Sequence, residues 1–259
     1  MHASKTLSLT CILLTGAYAN LHADFTPLTD HIRIDREAAI VEFDAEVVFE
    51  QRQVTNDEGE VLYTFGEWLE LLACTHNTRE HESLLATHVK PSDLHAALLL
   101  LNLEPGQPAT LTQTDAGEWT TTPPSGPDLT ITLLTPPDPD NPDAQPTRTP
   151  AGRWIIHEPT SQTLEHTRWL FTGSRTIEHN GETLYLANLS GSLISLVNFR
   201  DDLIVRPTAT TSADDQQAYQ PNLPLIPPPG TPVRVRITPA QPAPAAGQPP
   251  ALSEPPPTR

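Results

Sequence analysis

Ala39-Ile40-Val41-Glu42-Phe43-Asp44-Ala45-Glu46-Val47-Val48-Phe49 is the stretch whose reading decides the fold. Val41, Phe43, Ala45 and Val47 alternate with Glu42, Asp44 and Glu46. An apolar residue at every second position is the period of a β-strand that buries one face. The same style recurs along the chain. Ile32-Arg33-Ile34, Trp68 to Ala73, Leu129 to Leu133, Trp154-Ile155-Ile156, Leu184 to Ala187, Leu193 to Val197 and Val233 to Ile237 are the further strand candidates.

One helix is marked against this background. Pro91 fits a first helical turn, where a missing N–H costs nothing, and Ser92 and Asp93 place polar and negative groups at the positive end of the dipole. Leu94, Ala97, Leu98 and Leu101 then make one apolar stripe, and Pro105-Gly106 lies beyond its end. The fold class expected is α+β: mainly antiparallel β-sheet, with one prominent helix at about 92–101 packed on it.

The ends of the chain read differently. Lys5, the apolar run Leu7 to Thr15 and the small-x-small site Ala17-Tyr18-Ala19 form a signal peptide over residues 1–19. That run is too short for a membrane span of about 20 residues, and a lipoprotein anchor at Cys11 is the disfavoured alternative. The expected product is exported to the periplasm or beyond and soluble after cleavage. Of 29 prolines, nine lie between Pro123 and Pro150 and 15 between Pro207 and Arg259. The first group marks a Pro/Asp-rich loop insertion at 123–150 within a single domain of residues 20–238. Residues 239–259, rich in Pro, Ala and Gln, read as a disordered tail.

The formal net charge of −17 argues against nucleic acid and anionic membrane surfaces, which attract Lys and Arg. Its plainest consequence is solubility. No later segment reads as a transmembrane span. Signal cleavage leaves Cys74 as the single cysteine, which excludes an internal disulfide and an iron–sulfur cluster of about four thiolates.

Chemistry-bearing residues concentrate in Cys74-Thr75-His76-Asn77-Thr78-Arg79-Glu80-His81-Glu82-Ser83, with His88 and His95 following. Such N, S and O ligands suit zinc or copper, and a Cys–His pair can activate a thiolate. Specific spacing is missing: Leu85 stands where a metallopeptidase helix needs its second histidine, and there is no CxxC, phosphate loop or GxSxG. The competing reading is structural, with Cys74 a small buried residue, Arg79 paired to a carboxylate, His95 packed against the helix stripe and His76 solvated.

Leu69 to Cys74, Arg79 to Leu85, Lys90 to Leu99, Glu104-Pro105-Gly106 and Leu193 to Phe199 resemble the YdjY-domain family, as do Ile226-Pro227-Pro228 and Gly230 to Val233. The resemblance covers roughly Leu28 to Ile237. It implies an exported bacterial envelope domain without an assigned enzymatic activity, and it singles out Cys74, Glu80, His81, Glu82, Ser83 and His95 as the candidate ligand-binding residues. The ferredoxin-like label that some members carry does not fit a chain with one mature cysteine, and Arg79 stands where the family pattern has lysine.

The leading functional expectation is a non-catalytic module that offers the 74–95 region to a small ligand, an ion or an envelope protein partner. The alternatives are a metal- or thiol-dependent enzyme using Cys74, His81 and Glu82, and a structural protein linked to a second chain through Cys74.

Overall fold

The computed structural model describes residues 24–66, 68–115, 117–137, 145–208 and 218–240. The expected signal peptide, residues 241–259 of the expected tail and residues 138–144 of the proline-rich loop lie outside them. The strands that organise the fold are β1 (Ile32–Asp35), β2 (Ile40–Val47), β3 (Leu71–Thr75), β4 (Ser83–Thr87), β5 (Asp128–Thr135), β6 (Trp169–Phe171), β7 (Ser192–Ser195), β8 (Ile204–Val205) and β9 (Pro232–Pro239). Two α-helices accompany them, α1 (Pro91–Leu100) and α2 (Leu186–Ser190).

The strands do not form an open sheet. Starting from β2, the order β2-β9-β5-β6-β8-β7-β3-β4 returns to β2, because Glu46 and Val47 pair with Ala86 and Leu85. The result is a closed barrel of eight strands with a mixed hydrogen-bond pattern. β3 runs parallel to β4 and β7 parallel to β8, and the other six neighbours are antiparallel. This overturns the expected α+β sheet with a helix packed on one face. Alternation shows only that a strand has one buried face; a sheet beneath a helix and a barrel whose concave side is its own core satisfy it equally.

The concave side carries the alternating residues. Val41, Phe43 and Val47 of β2, Val233, Val235 and Ile237 of β9, and Leu129, Ile131 and Leu133 of β5 fall in one buried cluster with Trp169 and Phe171 of β6. The helix is present where its stripe predicts it. Leu94, Ala97 and Leu98 join that same cluster, while Ser92 bonds Asn188 of α2 and His95 meets Phe171 at the end of β6. The helix therefore closes one end of the barrel instead of covering a sheet.

Within the proline-rich segment, residues 128–135 are a barrel strand paired with residues 147–150. Pro239 is the last residue of β9. A three-stranded sheet (155–157, 162–163, 219–221) and hairpins at 52–65, 110–122 and 176–185 decorate the barrel.

The outer face of β2 is not simply solvated. Glu42 is fully buried, clamped by Arg33 and by Arg236, whose Nε lies 2.6 Å from Oε1, with Arg234 Nε at 3.8 Å. Arg33 in turn stacks on Phe25 at 4.6 Å. A charge on a nominally polar face is thus desolvated by the neighbouring arginines and compensated by them.

Candidate functional site

The two parallel strand pairs have short connections. A parallel crossover ordinarily takes a dozen or more residues. Here β3 reaches β4 through residues 76–82, and β7 reaches β8 through 196–203. Each connection turns on a left-handed residue, Asn77 (φ 63°) and Arg200 (φ 69°), and each turn is tied by one carboxylate. Glu80 accepts the backbone N–H groups of Asn77 and Thr78, and Asp202 those of Phe199 and Arg200. The crossovers lie against one another, with the Arg79 guanidinium 4.2 Å above the Phe199 ring.

This architecture keeps Cys74, Glu80, His81, Glu82 and Ser83 on or beside the first crossover and carries His95 away from them. Cys74 is fully buried, packed with Leu71 and Ala86 against Val48 and Phe199. Burial pushes its thiol pKa up, although Ser83 and Thr78 pull it down. Such burial disfavours the thiolate, the form that acts as nucleophile or metal ligand. Burial opposes ionisation of Glu80, but backbone N–H groups, those of Asn77 and Thr78 among them, outweigh it and hold the carboxyl below its ordinary value. His81 is 75% exposed, with Nε2 3.7 Å from Glu82. Ser83 donates its hydroxyl to the Arg79 carbonyl at 2.8 Å.

His95 faces the far end of the barrel. Its Nδ1 lies 2.8 Å from the Tyr185 oxygen, and that hydroxyl donates to the Gly173 carbonyl at 2.7 Å. Tyr185 has one proton to give, so Nδ1 must be the donor to it. Burial lowers the imidazole pKa, although the Gly173 backbone opposes it. His95 is a packing residue at the helix–barrel junction. The six residues do not converge on a point.

Glu82 takes part in a second arrangement. It receives Arg79 Nη1 at 2.9 Å and is hydrogen-bonded to Glu70, whose pKa is raised to about 7 by burial first and by the Glu82 charge second. Burial and the neighbouring Glu82 charge thus favour the protonated form of Glu70. In the other crossover, burial raises Asp202 to about 7, with the Asp201 charge contributing.

A third arrangement lies where the edge of β2 divides. Its first half pairs with β1 and its last residues with β4. At the fork, the Asp44 N–H donates to the His31 carbonyl (3.1 Å) and the Thr87 hydroxyl donates to the Asp44 carbonyl (2.6 Å). His31 precedes β1, His88 follows β4 and His76 follows β3, so the three imidazoles meet. Ring centroids are 5.7 Å apart for His31 and His88, and 4.4 Å for His76 and His88. His76 Nε2 lies 3.4 Å from Glu46 Oε1 and Nδ1 3.9 Å from Glu80 Oε1.

His76 and His88 form a common wall between two surface hollows of ≈ 220 and ≈ 320 Å³. The smaller also contains His31, Asp44 and Glu46, and the larger contains Asn77, Lys90 and Asn188. Sequence reasoning leaves His31 out and treats His76 as solvated. The available signal is positional: all three histidines stand immediately outside a strand end, where side chains from neighbouring strands gather.

Among the described residues, no group of three or more His, Cys, Asp or Glu side chains is arranged to hold a metal ion, and no helix is long and apolar enough to cross a membrane. No curated protein and no solved structure matches the chain. The model of one family, the YdjY domain, matches residues 32–238, and the chain belongs to that family.

Proposed function

We propose that this chain is an exported, non-catalytic binding module whose ligand site is the histidine-walled fork on the edge of β2. One observation carries the reading. Three imidazoles from three separate turns stack against each other at the surface and line two adjoining hollows. His88 is exposed and makes no hydrogen bond among the described residues, so packing alone gives no account of the cluster. The site keeps its place in the 74–95 region through His76 and His88 and adds His31, while Cys74, Glu80, His81, Glu82, Ser83 and His95 are not among the residues lining the two hollows. The signal-like residues 1–19 support export.

The test is a thermal-shift screen of the mature protein against small carboxylates, phosphates, neutral sugars and divalent cations, run beside the His76→Ala/His88→Ala variant. A ligand that binds only the folded state raises the melting temperature by mass action. The reading expects at least one compound that stabilises the wild type and not the variant, with equal melting temperatures in its absence. A variant that is already unfolded, or a screen with no histidine-dependent shift, overturns it.

A further inference from the structure

The two hollows differ in charge, and the difference selects a ligand. The smaller is lined by Asp44 and Glu46 beside its histidines. The larger, of ≈ 320 Å³, has no aspartate or glutamate in its lining among the described residues, in a chain whose formal net charge is −17. Its polar groups are instead nitrogen donors and hydroxyls.

Some of these groups are already engaged. The Asn188 carboxamide accepts the Ser92 N–H at 2.9 Å and donates to the Ser92 hydroxyl at 3.0 Å, which fastens α2 to α1. Thr87 donates to Asp44 and accepts from the Val89 N–H. They form a fixed rim and floor. The Lys90 ammonium, the His88 ring and the Asn77 carboxamide have no hydrogen-bond or ion-pair partner among the described residues. Lys90 is the single lysine outside residues 1–19, and it is exposed beside the exposed His88. His76 stands between Glu46 and Glu80, so the positive charge of this hollow is set by Lys90, with the His88 ring beside it.

We propose that the larger hollow takes a small anion bearing a carboxylate or phosphate group, held by Lys90 and His88 with Asn77 at its margin. The proposal rests on the fork being a ligand site and adds the class of ligand. An ammonium supplies three donors to anionic oxygens, and charge-assisted bonds of this kind are roughly twice as strong as neutral ones. A lining without aspartate or glutamate among the described residues lessens the local repulsion that the rest of the surface would present, although Glu46 and Glu80 stand beside His76.

The probes are inorganic phosphate and citrate, titrated calorimetrically into the mature protein at constant ionic strength. Lys90→Gln, Glu118→Gln and the His76→Ala/His88→Ala protein serve as variants, with zinc chloride and glucose as ligands of the other classes. Phosphate or citrate should bind the wild type, and Lys90→Gln should weaken binding about tenfold, the loss of one charge-assisted bond. Glu118→Gln, which removes an exposed negative charge on the 110–122 hairpin outside both hollows, should leave it within about twofold. Equal anion binding by wild type and Lys90→Gln, or no anion binding at all, overturns the anion assignment. A histidine-dependent response to zinc or glucose with none to the anions overturns it while leaving the binding module standing. No histidine-dependent response to any probe overturns both.

Discussion

Replacing Glu70 by Gln should stabilise the protein at pH 8 and leave it unchanged at pH 5. In the folded chain Glu70 lies against Glu82, which is itself engaged by Arg79, and burial together with the Glu82 charge raises its pKa from 4.5 to about 7. The unfolded chain releases the same proton near the ordinary carboxylate value. Between the two pH values the native state therefore binds more protons than the unfolded state, and stability falls as pH rises. The favourable contribution of a neutral Glu70 is fully present below the unfolded pKa and is lost as pH passes through about 7. A shift of this size corresponds to a ceiling of roughly 3 kcal/mol. Glu70 is only half-buried and Arg79 offsets part of the repulsion, so screening reduces the expected effect to about 1–2 kcal/mol. A glutamine amide keeps the shape, carries no charge and can donate to Glu82. The assay is urea denaturation of wild type and Glu70→Gln at pH 5 and pH 8, with equal slopes confirming that only stability has changed. A difference between the two proteins that is the same at both pH values refutes the raised Glu70 pKa. Destabilisation of the variant at pH 8 refutes it as well.

Three further outcomes follow from the packing. Glu42→Gln leaves Arg33 and Arg236 without their buried counter-charge, and chemical denaturation should show a loss of about 3–5 kcal/mol. Gly191→Ala places a Cβ 2.2 Å from Thr78 Oγ1 at φ 77°, so thermal melts should show a loss of about 1–3 kcal/mol. The Cys74 thiol, buried and with its pKa raised, should react with a thiol reagent only in denaturant; rapid reaction in the native state would show that the first crossover opens.

The sequence makes single strands legible and their closure illegible. Val41, Phe43 and Val47 reveal a buried face, and Leu94, Ala97 and Leu98 a helical one, because each pattern repeats over a span longer than one turn or pleat. The closure of the barrel rests on Glu46 and Val47 pairing with Ala86 and Leu85, and on Ile204-Val205 as a whole strand. Segments of two residues carry no period. Glu42 shows the same limit in another form: its alternation gives the face it occupies, while its burial depends on Arg236, nearly two hundred residues away. The candidate site divides along similar lines. His76 and His88 fall inside the segment where chemistry concentrates, but His31 joins them only through the pairing of β1 with β2. Cys74 and His95, which proximity in sequence groups with them, are carried by the barrel to its wall and to its end.

The place of β9 between β2 and β5 has a consequence for the order of events in making this protein. The strand that joins the two longest early segments of the ring is the last to be synthesised, and its partners are residues 41–46 and 129–134. Until Val233 to Ile237 emerge, β2 and β5 each keep a bare edge and the ring stays open. A product truncated before residue 232 would leave residues 41–46 of β2 and 129–134 of β5 without the strand that joins them in the complete barrel, and so would expose two adhesive edges.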